Sequence, residues 1–86
     1  MNGALPKSIL VALSQCPTLG HAPRLWKPEY WKAEYHACPD VTHDQELYKA
    51  EAWLVANPGR APKKDLGRFV HNWLARAQQR EAENGE

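Results

Sequence analysis

Cysteine is scarce in this chain, with two in 86 residues. One disulfide at most is sparse for a secreted domain of this size, so free thiols in a reducing cytoplasm are expected. Long apolar runs are missing as well. The longest, of five residues such as Ile9 to Leu13, fall far short of the roughly 20 residues that span a bilayer, and no charged leader with a cleavage site precedes Ile9. The five glycines, at 3, 20, 59, 67 and 85, are scattered, which excludes a phosphate-cradling loop. Ser8 and Ser14 lie in no strand-turn-helix elbow, and His36 and His71 have no serine, cysteine or acid partner at a recognisable spacing. A chain this short buries only roughly 60 to 65% of its unfolded surface, so strained catalytic geometry is hard to support. A single domain over 1–86, without enzymatic activity and without a cofactor, is the expectation.

Against these absences stand four tryptophans and an apolar share of 43%, enough for a real core. Net charge is only +1, but it is unevenly spread. Residues 1–27 hold Lys7, Arg24 and Lys27 with no acid, whereas 28–59 set six acids against Lys32 and Lys49. Residues 60–80 then carry Arg60, Lys63, Lys64, Arg68, Arg76 and Arg80 against Asp65 alone, and the tail returns to acid at Glu81, Glu83 and Glu86.

Proline and glycine divide the chain. Leu5, Ile9, Ala12 and Leu13 share a helical face after Pro6, although five consecutive apolar residues also suit a short buried strand. The stretch CPTLGHAPRLWKP reads as a connector on the surface, anchored by Leu25 and Trp26. Pro28 fits the first position of a helix over 29–37 with Trp31, Tyr35 and Cys38 on one face. Thr42 and Gln45 form a capping-box pattern for a helix over 43–56, with Leu47, Ala50 and Leu54 as its inner stripe and Asn57-Pro58-Gly59 as its stop. Leu66, Phe69, Val70, Trp73, Leu74 and Ala77 follow the i, i+3, i+4, i+7 pattern, which predicts a core helix over 65–80 and a frayed acidic tail over 81–86. The fold expected is all-α: a small three-helix bundle over 29–80, with 1–28 as an N-terminal helix or strand and connector. Short connections make neighbouring helices roughly antiparallel.

Cys16-Pro-Thr-Leu-Gly-His21 and Cys38-Pro-Asp-Val-Thr-His43 share the spacing C-P-x-x-x-H. Two thiols and two imidazoles make a tetrahedral zinc set, but the spacing lacks the tight knuckle of specific zinc motifs, and Cys38 also reads as a small buried hydrophobe; no metal site is assigned. Glu46 and Glu51 read as surface charge beside Lys49 and Lys32. Trp26, Tyr30 and Trp31 fit core packing better than base stacking.

The basic segment differs, because one sign clusters on one element. Arg60, Lys63 and Lys64 lead into a helix whose Arg68, Asn72, Arg76 and Arg80 recur every four residues. Backbone N–H groups at a helix N-terminus surrounded by cations favour phosphate, so binding of single-stranded nucleic acid centred on that terminus is the expectation. The competing reading pairs these cations with acids of the preceding helix.

The stretch from Tyr30 to Gln79, above all residues 50–78, resembles the C-terminal helical module of phage and prophage replication proteins, the replisome-organiser or helicase-loader-associated group. The resemblance is carried by Trp53-Leu54 and Asn57-Pro58, by Arg60 with Lys63 and Lys64, and by Arg68-Phe69 with Trp73-Leu74. A looser similarity is to the C-terminal region of primosomal replication-restart proteins of the DnaT kind. The resemblance implies a DNA replication accessory module in a bacterial host's cytoplasm, with single-stranded nucleic acid or a replication protein as partner. Larger members carry a winged-helix part that has no counterpart in the 29 residues before Tyr30, so autonomous origin recognition is not expected. An adaptor or inhibitor of a host helicase, loader or nuclease is the alternative, with Trp53 as its anchor and the acidic stretch from Asp40 to Glu51 contributing.

Overall fold

The computed structural model describes residues 5–62 and 64–84. Four α-helices follow one another among them: α1 (Lys7–Gln15), α2 (Pro28–Ala37), α3 (His43–Ala56) and α4 (Leu66–Asn84). No strand occurs among the described residues, so the fold is all-α and the first segment is a helix. None of these helices is long and apolar enough to cross a membrane.

α1 starts on Pro6, whose carbonyl accepts from Leu10 N, and buries Ile9, Ala12 and Leu13 against α3. α3 ends where Asn57 turns both its backbone N–H and its side-chain amide onto the carbonyl of Trp53, each at 2.9 Å. α4 then returns along α3. The Trp53–Phe69 and Glu46–Trp73 contacts join the end of α3 to the start of α4 and its start to the middle, which makes the pair antiparallel. α2 packs chiefly on the connector and α4, not on α3 as its short link to α3 had suggested. The molecule measures 36 × 35 × 19 Å, so it is about two helix diameters thick.

The connector departs most from expectation. Instead of an irregular surface strap it forms two 3-10 turns, Leu19–His21 and Pro23–Trp26, and both Leu19 and Leu25 are fully buried. Its backbone is held by side chains, one from α3 and two from nearby tryptophans. Glu51 of α3 accepts from Thr18 N at 3.2 Å and Leu19 N at 2.9 Å; Trp26 Nε1 donates to Gly20 O and Trp31 Nε1 to Leu25 O, both at 2.7 Å. Gly20 lies so close to the end of α1 that a Cβ there would come within 2.5 Å of Leu13 O.

Four further expectations change. Glu51 and Glu46 are buried, not surface charges, although Glu46 does pair with Lys49 at 3.3 Å. Thr42 makes no side-chain cap bond, so the capping box does not form, although Asp44 and Glu46 in the first turn still complement the α3 dipole. On α2 the buried face is Tyr30, Trp31 and Glu34, with Tyr35 only half-buried. α4 runs on through residues 81–84, past the expected end at 80, where Glu81, Ala82 and Glu83 are good helix formers.

Candidate nucleic-acid interface

The apolar stripe of α4 divides into two parts. Val70, Leu74 and Ala77 are buried in the core, whereas Phe69 and Trp73, one position round the helix, are half-buried and meet Trp53 of α3. The three rings form a continuous cluster: Trp53 and Phe69 have centroids 5.7 Å apart, Phe69 and Trp73 5.9 Å, and Trp53 and Trp73 6.4 Å. Trp73 is fixed by an Nε1–H bond of 3.0 Å to Glu46, which explains why that acid is buried.

These rings floor a groove. Its first half, a cavity of about 530 Å³, is walled by Arg60, Pro62, Lys64, Asp65, Arg68, Asn72 and Arg76. Its second half shares Trp53, Trp73 and Arg76 and continues to Gln79, Arg80 and Glu83. Every described residue expected to contact nucleic acid, together with Trp53, therefore lines one surface. Lys63 lies outside the described residues. The ion pairs among the described residues involve none of Arg60, Lys64, Arg68, Arg76 and Arg80. The nearby α3 acids are engaged elsewhere, Glu51 on the connector backbone and Glu46 on Trp73 and Lys49.

The helix N-terminus expected to face phosphate carries a side-chain cap. Asp65 supplies it: its Oδ1 accepts from Arg68 N at 3.1 Å, and the same carboxylate pairs with Arg24 at 3.1 Å. Asp65 adopts a left-handed backbone with φ 53°, a conformation aspartate tolerates better than most residues. The basic surface thus runs from the helix terminus, at Arg60, Lys64 and Arg68, along the aromatic groove to Arg76 and Arg80.

Other candidate residues find different places. Trp31 is wholly buried, and Tyr30 is buried with its hydroxyl donating to Gly67 O at 2.6 Å, so neither is available for stacking. Burial and, secondarily, Glu34 push the Tyr30 hydroxyl well above its ordinary pKa. Cys16, His21, Cys38 and His43 do not converge; among the described residues no three metal-ligating side chains do. Both cysteines are buried as free thiols, and burial followed by Glu51 pushes Cys16 up to about 11. His71, by contrast, gains an acid partner that spacing had not revealed: its Nδ1 lies 2.7 Å from Glu34 Oε2.

Sequence reasoning assigned Phe69 and Trp73 to the core alone. The signal that they also serve a surface lay in their interleaving with Arg68, Asn72 and Arg76 at the edge of the stripe. No family model, curated protein or solved structure matches the chain.

Proposed function

We propose that this chain is a non-catalytic DNA replication accessory module of the phage type, which binds single-stranded nucleic acid in the groove between α3 and α4. One observation carries the reading: five cations without ion-pair partners among the described residues wall a floor of three adjoining aromatic rings. Cations along a groove supply the salt-sensitive attraction to phosphates, and half-buried rings offer faces to unpaired bases, a combination that tolerates any sequence. Asn72 in the first half and Gln79 in the second are the groove's neutral amide side chains, and stacking on the rings tolerates every base, so no sequence preference is expected. The replication setting rests on the resemblance of residues 50–78.

The test is fluorescence anisotropy of a labelled oligothymidine at low salt. Replacing Lys63, Lys64 and Arg68 together by alanine should weaken binding at least tenfold, in keeping with about 1 kcal/mol per charged contact. Unchanged binding would remove the proposal.

The adaptor reading draws on one specific observation, that a tryptophan-arginine cleft also suits an acidic peptide. Its other support is weaker, because Glu46 and Glu51 of the acidic stretch are consumed inside the fold. Recovery of a host helicase, loader or nuclease by a protein that binds no oligonucleotide would favour it.

A further inference from the structure

Arg68 stands on a ridge between the aromatic groove and a second concavity, of about 580 Å³, on the α2 side of α4. Arg24, Lys27, Arg68 and His71 contribute its cationic and imidazole groups. At its base is Glu34, whose side chain is only 7% exposed. One oxygen, Oε2, meets His71 Nδ1 at 2.7 Å; the other, Oε1, is buried without a hydrogen-bond partner.

A carboxylate withdrawn from water with one oxygen unsatisfied is costly, and a methionine or leucine would fill the same space in a helical core more favourably. What the carboxylate does provide is a fixed imidazole. With Nδ1 held by Glu34, the opposite ring nitrogen, Nε2, is turned away from the acid on a side chain that is half exposed. A buried acid that orients a histidine at the wall of a cleft is a feature of binding and catalytic sites more than of plain scaffolds.

The wall carries three acids, Glu29, Glu34 and Asp65, against Arg24, Lys27 and Arg68, with His71 beside them. Asp65 is tied to Arg24 and to the backbone N–H of Arg68. Glu29 is exposed on the first turn of α2. Lys27 and Arg68 are in no ion pair among the described residues. Lys27 and Arg68 therefore offer cationic donors from the connector and the ridge, and His71 offers a third from the α4 flank when both ring nitrogens carry a proton, donors suited to phosphoryl oxygens. A phosphoryl oxygen at Nε2 and the carboxylate at Nδ1 together satisfy both N–H groups of an imidazolium.

We infer that this pocket is a phosphoryl subsite, in which Lys27, Arg68 and His71 hold a phosphate of a nucleic-acid strand that crosses the Arg68 ridge from the aromatic groove. The inference rests on the proposed nucleic-acid surface for its ligand, but the pocket's chemistry is testable without it. The phosphate is either a backbone diester or a terminal monoester, and the two sources share the same donors.

The experiment has two arms on the intact chain. In the first, NMR of the histidine C2–H protons follows titration with inorganic phosphate. The His71 signal should shift and saturate, and Lys27→Ala should weaken that response about three- to tenfold. In the second, anisotropy compares oligothymidines with and without a 5′-phosphate on wild type, on the double variant Lys27→Ala/His71→Gln, and on Trp53→Ala. Glutamine at 71 keeps an amide donor for Glu34, and circular dichroism verifies the fold. The double variant should lose about tenfold in affinity. Tighter wild-type binding of the 5′-phosphorylated strand identifies the terminal source, and equal binding the diester. A His71 signal indifferent to phosphate, or a double variant that binds both strands as wild type does, overturns the subsite. Response of His71 to phosphate with no oligonucleotide bound by any form instead sinks the groove reading and leaves the pocket standing.

Discussion

His43 shows how a single polar residue is made part of a core. Its ring is buried edge-on between Trp31 and Tyr35, with centroids 6.2 Å and 4.3 Å away, and Nε2 lies 3.4 Å from Glu34 O. Burial lowers its pKa from the ordinary 6.5, against smaller opposing contributions from Glu34 and neighbouring acids. The folded state thus favours neutral imidazole. The stability tied to His43 is intact above pH 6.5 and is lost as the pH falls from there through the lowered folded value, because the unfolded chain takes up the proton first. Urea unfolding between pH 7 and pH 5 should show a steeper loss for wild type than for His43→Phe; parallel slopes would contradict this. The thiols give a second prediction. Burial raises both cysteine pKa values and covers both sulfurs. Iodoacetamide at mildly alkaline pH should label neither in the native state and both in urea, as read by mass spectrometry. Labelling at equal rates in the two states would place the sulfurs at the surface. None of this was legible in the residues' own spacing. His43 sits in a C-P-x-x-x-H pattern that points to a metal, while its actual neighbours come from a different helix.

At the scale of elements, local pattern and long-range contact were legible to different degrees. The bounds of α3 and the core face of α4 follow from periodicity and stop residues. The connector does not, because its turns are held by Glu51, 32 residues from Leu19. Replacing Glu51 by alanine leaves the Thr18 and Leu19 N–H groups without their acceptor, and should cost about 2–3 kcal/mol in chemical denaturation, since hydrogen bonds to charged groups run at about 1.5–3 kcal/mol. A loss under 0.5 kcal/mol, on the order of a plain surface substitution, would show that the turns stand without it. The start of α4 gives a prediction with opposite signs for stability and binding. Asp65→Ala removes a cap, an ion pair to Arg24 and a residue tolerant of left-handed backbone, for a loss of about 1–2 kcal/mol. It also removes an acid from the wall of the groove, so oligonucleotide affinity should rise in the same protein. Weaker binding by a still-folded variant would mean that Asp65 supports the interface. A capping aspartate looks, in sequence, like one acid lost in a basic stretch; only its bonds show that it caps the helix.

For the whole molecule, the fold brings α3 and α4 together so that a core seam becomes a surface groove at its edge. The cations of this groove were legible because Arg60 and Lys64 lead into α4 and Arg68, Arg76 and Arg80 continue the same four-residue spacing along it. Its floor was not, because Trp53 comes from another helix and the same stripe that supplies the core supplies Phe69 and Trp73. In the proposed function rings and cations act together on one unpaired strand, and salt separates the two contributions. Oligothymidine affinity measured across a salt series should fall with a logarithmic slope of about −3 to −4 for wild type, as five phosphate contacts at about 0.7 each imply. Trp53→Ala should weaken binding by about 1–3 kcal/mol at every salt concentration without changing that slope. Wild-type binding that is absent at low salt, or that is indifferent both to salt and to the loss of Trp53, would contradict the account.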